Sequence, residues 1–283
     1  MSVLDAILLG ILQGATEFLP ISSSGHLELA EYLLGISQPG RLFDIVLHVG
    51  TLAAIVTYYR DDVLLVGRDT AQGLADTWSH GANERALDRQ GVRLAVLTIV
   101  ASIPTAFIGA GFDRWIDIGQ GADAALFVCV ALVVNGFVLT SARWLDVEST
   151  ATRSGRTTLW NITPSTAALI GVAQGLAVTP GLSRSGLTIV AALALGTIRD
   201  RAARFSFLIS IPAILGALAL EFDPDILAGG NSGTVLAVGA LTATLVGYLA
   251  LAVLVRLVER AQFHHFSWYC WAIGGGGAAY LLV

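Results

Sequence analysis

Lysine is absent from this chain, cysteine occurs twice, and charged residues make up only 13% of its 283 positions. A soluble chain carries about 25% charged residues, so the supply is half of what a water-facing surface needs. Cys129 and Cys270 both lie inside apolar stretches, which excludes a disulfide framework and a cysteine-based zinc site. The only strong bases are 16 arginines against 21 acids, a net charge of -5, which leaves no broad cationic face and so no nucleic-acid partner. No arginine or lysine occurs before Arg41, so no secretory signal is expected at the start. Walker, HExxH and dinucleotide glycine patterns are missing too.

What is abundant is apolar: 55% of the residues are hydrophobic and the mean hydropathy is +0.73. One soluble core cannot bury that much surface, whereas a bilayer can. Six stretches approach the roughly 20 residues of a spanning helix, at 43–59, 92–111, 123–142, 205–221, 234–255 and 267–283. Two others, Val3–Leu19 and Thr163–Thr179, each run into a Pro/Gly/Ser break and then a second short helical pattern. The expectation is an all-α integral membrane protein of about six transmembrane helices plus two re-entrant helical hairpins.

Cytoplasmic loops concentrate positive charge. Alternating the six spans puts 13 arginines on one side, with only Arg41 and Arg114 on the other and Arg184 in no loop. Both termini then fall outside, in a multi-pass plasma-membrane protein, and the hairpins enter from opposite faces. The charged stretch after the first span, with Asp61, Asp62, Asp69 and Asp76, reads as a solvated loop.

A repeat supports that arrangement. Gln13-Gly14 through Ser22-Ser23-Ser24-Gly25 recurs as Gln174-Gly175 through Ser183-Arg184-Ser185-Gly186, at a constant offset of 161. The chain therefore reads as one membrane domain, 1–283, in two halves. Repeat 1 covers about 1–142 with a hairpin at 3–35, and repeat 2 about 160–283 with a hairpin at 163–197. Halves with three spans apiece are inverted relative to each other, and broken helices at such an interface form binding sites.

The hairpin tips hold polar groups that lipid would reject, which makes them functional candidates. Gln13 and Glu17 stand four residues apart, on one helix face. Ser22, Ser23, Ser24, Gly25 and His26 begin a second helix, whose free N–H groups favour an anion. Serine capping would account for one of those hydroxyls. An imidazole beside hydroxyls and a carboxylate has the parts for nucleophilic or acid–base chemistry. In the second tip Arg184 meets a carboxylate or phosphate through its guanidinium fork, with Ser183, Ser185 and Thr188 adding hydroxyls. An ion pair between Arg184 and Glu17 is the plain structural alternative.

The runs Gln13-Gly14-Ala15-Thr16-Glu17-Phe18-Leu19-Pro20-Ile21-Ser22-Ser23-Ser24-Gly25-His26 and Pro180-Gly181-Leu182-Ser183-Arg184-Ser185-Gly186-Leu187-Thr188 resemble the two signature motifs of the undecaprenyl-diphosphate phosphatase family, also called the bacitracin-resistance protein family. Phe205-Ser206-Phe207-Leu208 and the motif spacing agree with it over the whole chain. The resemblance implies a membrane phosphatase that removes the terminal phosphate of a polyprenyl diphosphate and recycles the lipid carrier of cell-envelope glycan synthesis. It also implies a divalent cation, Mg²⁺ or Ca²⁺, and a site open to the outer face. Carried onto this sequence, the family's acidic pair falls on Gln13 and Glu17, the metal candidates, its serine–histidine element on Ser23 and His26, and its phosphate-binding arginine on Arg184. Gln13 in place of a carboxylate removes one negative charge from the metal site. Whether a serine or the histidine attacks phosphorus stays open.

The partners so implied are the polyprenyl diphosphate and membrane lipids, with a homodimer left open. The competing expectation is a transporter or flippase of an anionic lipid or solute, because inverted repeats with broken helices also build carriers.

Overall fold

The computed structural model describes residues 1–34, 41–80, 89–115, 119, 121–145, 162–221 and 232–283. Arg85, Arg153 and Arg156 of the arginine count lie outside the described residues, as do the side chains of Glu31 and Arg41. Among the described residues the only regular secondary structure is helix, with no strand. The helices are α1 (Val3–Phe18), α2 (Ser23–Leu34), α3 (Arg41–Tyr58), α4 (Arg60–His80), α5 (Gln90–Trp115) and α6 (Ala122–Ser141) in the first half. The second half has α7 (Pro164–Leu176), α8 (Arg184–Ala194), α9 (Arg199–Glu221), α10 (Gly233–Glu259) and α11 (Phe266–Leu282).

Four segments are long and apolar enough to cross a bilayer: Gln90–Phe112, Ala122–Trp144, Arg199–Leu220 and Gly233–Glu259. The pair Leu42–Tyr58 and Arg60–Trp78, bent by 81°, passes the same test only when taken together, as a broken span or a re-entrant loop. Helix α11, where the sixth span is expected, has 17 residues, at the short end of the spanning range. On α10, Leu241, Leu245 and Leu249 stand one turn apart and are each more than 60% exposed. An apolar ridge of that kind facing outward is at home in hydrocarbon and not in water. The chain is an all-α integral membrane protein with several passes.

Sequence reasoning was wrong about residues 60–80. Helix α4 stands where a solvated loop was expected. Its charge density hid an apolar face: Val63 and Val66 pack on the core, and Asp62 is buried to 3% because it pairs with Arg204 of α9, whose Nε donates at 2.6 Å. Asp69 accepts from Gly91 N–H at 2.8 Å and Asp76 pairs with Arg89 at 2.7 Å. These acids tie α4 to α5 and α9 instead of facing solvent singly.

The two halves exchange partners. Helix α1 packs along α10, the second long helix of the other half, and α7 packs along α5, its counterpart; α6 and α11 pack on each other. Small residues permit these approaches. Gly10 and Gly14 lie against Gly239, Ala243 and Gly247 of α10, while Gly171 and Gly175, at the same repeat offset, lie against Ala101 and Ile108 of α5. A Cβ at Gly171 would collide with the Ala101 carbonyl oxygen, so α5 and α7 touch backbone to backbone. The core between the halves is centred on Phe18, Ile55, Ile170, Ile189 and Phe205. The segments that follow α1 and α7 meet where the halves cross.

Candidate active site

Both tips follow from local sequence. Pro20 drives the preceding Leu19 to an extended conformation (φ -62°, ψ 143°), which ends α1. The chain then turns at Ser22, a non-glycine residue at φ 70°. That unfavourable conformation is held by three contacts. The Ser22 hydroxyl accepts from Gly25 N–H at 3.3 Å and from Gly181 N–H, in the other tip, at 3.1 Å; its carbonyl meets His26 Nδ1 at 2.7 Å. In the second tip Gly181 has φ 93°, and Ser183 caps α8 by accepting from Gly186 N–H at 3.1 Å. A Cβ on Gly181 would stand 2.6 Å from Ala131 Cβ and 2.7 Å from the Val128 oxygen. Gly181→Ala is therefore expected to lower stability by about 2–4 kcal/mol through overpacking and a left-handed backbone, measured as unfolding in detergent; an unchanged midpoint would contradict the tip geometry.

The tips interlock through buried polar contacts. Ser185 Oγ donates to the Phe18 carbonyl at 2.9 Å. Asn135 of α6, fully buried, donates to the Pro20 carbonyl at 2.9 Å and accepts from Ser183 N–H at 3.1 Å. One amide thus spans both breaks and satisfies backbone groups that lipid cannot.

At this junction Glu17 is the hub, its side chain only 3% exposed. Its Oε1 is paired with Arg184 Nη2, and its Oε2 accepts from Ser23 Oγ at 2.7 Å and from Gln13 Nε2 at 3.1 Å. A carboxylate in this setting holds the serine hydroxyl by its proton, the arrangement of a base and its nucleophile. His26 stands apart from that pair. Its Nδ1 faces a carbonyl, which can only accept, so Nδ1 carries a proton and Nε2 meets Tyr269 Oη at 2.7 Å with the two rings stacked at 5.6 Å.

The structure gathers most of the residues expected from sequence. Gln13, Glu17, Ser23 and Arg184 form one cluster, and Ser22, Gly25, Ser183 and Ser185 build its backbone frame. Ser24 is exposed, 3.4 Å from Ser22 Oγ. Thr188 is not aimed at the centre: its hydroxyl donates to the Arg184 carbonyl at 2.7 Å. His48 bonds through Nδ1 to the Asp44 carbonyl of its own helix at 2.9 Å.

Sequence reasoning missed Asn135, Tyr269 and Ser206. Asn135 carried a usable signal, a lone amide inside an apolar span. Ser206 lines a cleft of about 210 Å³, part of it open to the outside, with Glu17, Arg184, Ser185, Ser210, Phe18, Ile55 and Phe207.

Residues 6–276 match the family model described as bacitracin resistance protein BacA. The chain belongs to the BacA family. It is 41% identical to an undecaprenyl-diphosphatase of Desulfosudis oleivorans, with 97% of each chain covered. It is 39% identical to one of Geobacter sulfurreducens, with both chains covered in full. The tips described above thus belong to a chain that is BacA-like from end to end.

The divalent cation expected of a BacA-family site can be tested against its donors. Among the described residues no group of three acidic, histidine or cysteine side chains could hold a metal. Yet among the described residues Gln13 Oε1 is buried without a partner, next to the carboxylate that its own amide nitrogen contacts. An unpaired buried oxygen costs about 1–3 kcal/mol, and a hard cation takes such oxygens. Glu17 and Gln13 thus fit a cation shared with bound phosphates, and do not make an all-protein cage.

Proposed function

We propose that this protein hydrolyses undecaprenyl diphosphate, or a similar long-chain polyprenyl diphosphate, to the monophosphate and phosphate, recycling the lipid carrier of cell-envelope glycan synthesis. The observation that carries the reading is the Glu17 carboxylate holding Ser23 Oγ at 2.7 Å while paired with Arg184, in a BacA-family chain whose full-length relatives are named undecaprenyl-diphosphatase. Consumption of the diphosphate form would also account for the resistance in the family's name.

Phosphoryl transfer needs positioning and charge stabilisation more than covalent machinery. On substrate entry, the Arg184 fork exchanges its carboxylate partner for phosphate oxygens. The amides at the start of α2, framed by Ser22 and Gly25, add donors. Freed of Arg184, Glu17 takes the Ser23 proton as Oγ attacks the terminal phosphorus, and the bridging P–O bond breaks with its electron pair on the lipid monophosphate. His26, on the first turn of α2 with its Nε2 at 2.7 Å from Tyr269 Oη, stands outside this transfer. A divalent cation, Mg²⁺ or Ca²⁺, held by Glu17 and Gln13 Oε1, would neutralise phosphate charge when bound.

The site is read as open to the outer face with both termini outside, from the arginine distribution of the sequence. The reading as two inverted halves is supported by the reciprocal packing of α1 on α10 and α7 on α5.

The test is phosphate release from undecaprenyl diphosphate by purified protein in detergent. A carrier has no compartment to cross there and releases none, so absence of phosphate from folded protein would overturn the reading. Chelation should lower release about 10-fold or more, with recovery on adding Mg²⁺ or Ca²⁺; release indifferent to chelator would remove the cation from the mechanism.

A further inference from the structure

Three serines line the cleft beside the Glu17–Arg184 pair, and two have committed their hydroxyls. Ser185 Oγ donates to the Phe18 carbonyl at 2.9 Å and Ser210 Oγ to the Phe207 carbonyl at 2.7 Å. Ser206 differs from both. It is 2% exposed, and its Oγ is buried with no hydrogen-bond partner among the described residues. A helix serine in apolar surroundings ordinarily bonds back to a carbonyl one turn earlier, and this one does not. Such a hydroxyl at membrane depth awaits a partner from outside the chain.

The cleft restricts what that partner is. Phe18, Ile55 and Phe207 wall it with apolar surface, leaving Ser206 Oγ, Glu17 and Arg184 as its polar groups without a committed backbone bond. Its enclosed space takes about one water, and a bound water needs two to four polar partners, which these three supply. Ser23, which meets Glu17 at Oε2, is not part of the lining. The cleft thus reaches Glu17 and Arg184, the pair that would flank a transferring phosphoryl group, without Ser23 among its lining residues.

We propose that Ser206 binds the water that hydrolyses the phosphoserine formed on Ser23. The inference rests on the phosphatase reading above and adds the source of its second nucleophile. After the lipid monophosphate has left, the position opposite Ser23 Oγ is free. A water hydrogen-bonded to Ser206 Oγ enters it, and its oxygen forms the new bond to phosphorus. The P–Oγ bond breaks with its electron pair on Ser23, which recovers from Glu17 the proton lost in the first step. The water keeps both hydrogens, so the product leaves as dihydrogen phosphate and ionises in bulk. Both displacements are in line, and no further reagent is consumed.

The experiment uses full-length protein in detergent with undecaprenyl diphosphate, with and without added methanol, and measures phosphate and methyl phosphate separately. Wild type should release mostly phosphate. In Ser206→Ala, kcat should fall about 10- to 100-fold through loss of water positioning, and KM should fall with it, because kcat/KM is set by the first step, which Ser206 does not touch. The ratio of methyl phosphate to phosphate should rise, because the variant loses the hydrogen bond that favours water and gains room for a methyl group. Ser206→Thr, which restores the hydroxyl, should bring the ratio back. A purely structural role would depress both products together. An unchanged ratio in Ser206→Ala, with turnover kept or lost, overturns the proposal. Wild-type protein that releases neither product overturns the phosphatase reading, and this proposal falls with it.

Discussion

Arg184→Ala should lose phosphate release by about 10³-fold or more, the scale on which an arginine stabilises a transferring phosphoryl group. The guanidinium approaches Glu17 from the second tip, and among the described residues no other cationic side chain lines the cleft. Two effects must be separated in the measurement. Deleting Arg184 also leaves Glu17, its side chain 3% exposed, without its ion-pair partner, and breaking a buried pair costs about 3–5 kcal/mol. A loss of activity could then be a loss of fold. Glu17→Gln combined with Arg184→Met removes both charges together, so stability should recover toward wild type while activity does not. Arg184→Lys keeps the charge and loses the fork, and should fall between the two. Turnover near wild type in a folded Arg184→Ala protein would sink the assignment of this arginine to phosphate.

Much of this was legible in the sequence because lipid is a strict solvent. A charge or a proline–serine break within an apolar stretch has few tolerated explanations, so Glu17, Arg184 and both tips stood out. The 161-residue offset even matches Gly10 and Gly14 with Gly171 and Gly175, the pairs on which the two halves cross. Illegible were contacts that depend on packing between distant elements. Asp62 looks like any loop acid until Arg204, 142 residues away, is brought beside it. Thr188 sits one turn beyond Arg184, as a partner in the site would, yet its hydroxyl turns to the helix backbone. Tyr269 reaches His26 across 243 residues in an aromatic-rich stretch where nothing distinguishes it from a lipid-facing ring. Periodicity finds faces, and it does not say which face meets which.

The choice between Ser23 and His26 as nucleophile is where the geometry speaks beyond the sequence, and Ser23→Ala is its test. Ser23 Oγ donates to the carboxylate that would take its proton, whereas His26 Nδ1 is occupied by the Ser22 carbonyl and Nε2 by Tyr269. The variant should therefore lose about 10³-fold or more in kcat. Its stability should change by only about 1 kcal/mol, the worth of one hydrogen bond, because Glu17 keeps Arg184 and Gln13. Ser24→Ala is the matched control: its hydroxyl is exposed and reaches only Ser22 Oγ, at 3.4 Å, so turnover should stay within a few-fold of wild type. The chemistry of the intermediate gives an independent check. A phosphoserine survives acid and is lost in alkali, and a phosphohistidine does the reverse, so quenching the wild-type reaction at early times on labelled substrate distinguishes them. Ser23→Ala turning over like wild type, with acid-labile label on the protein, would move the attack to His26 and leave Ser23 as a frame for Glu17.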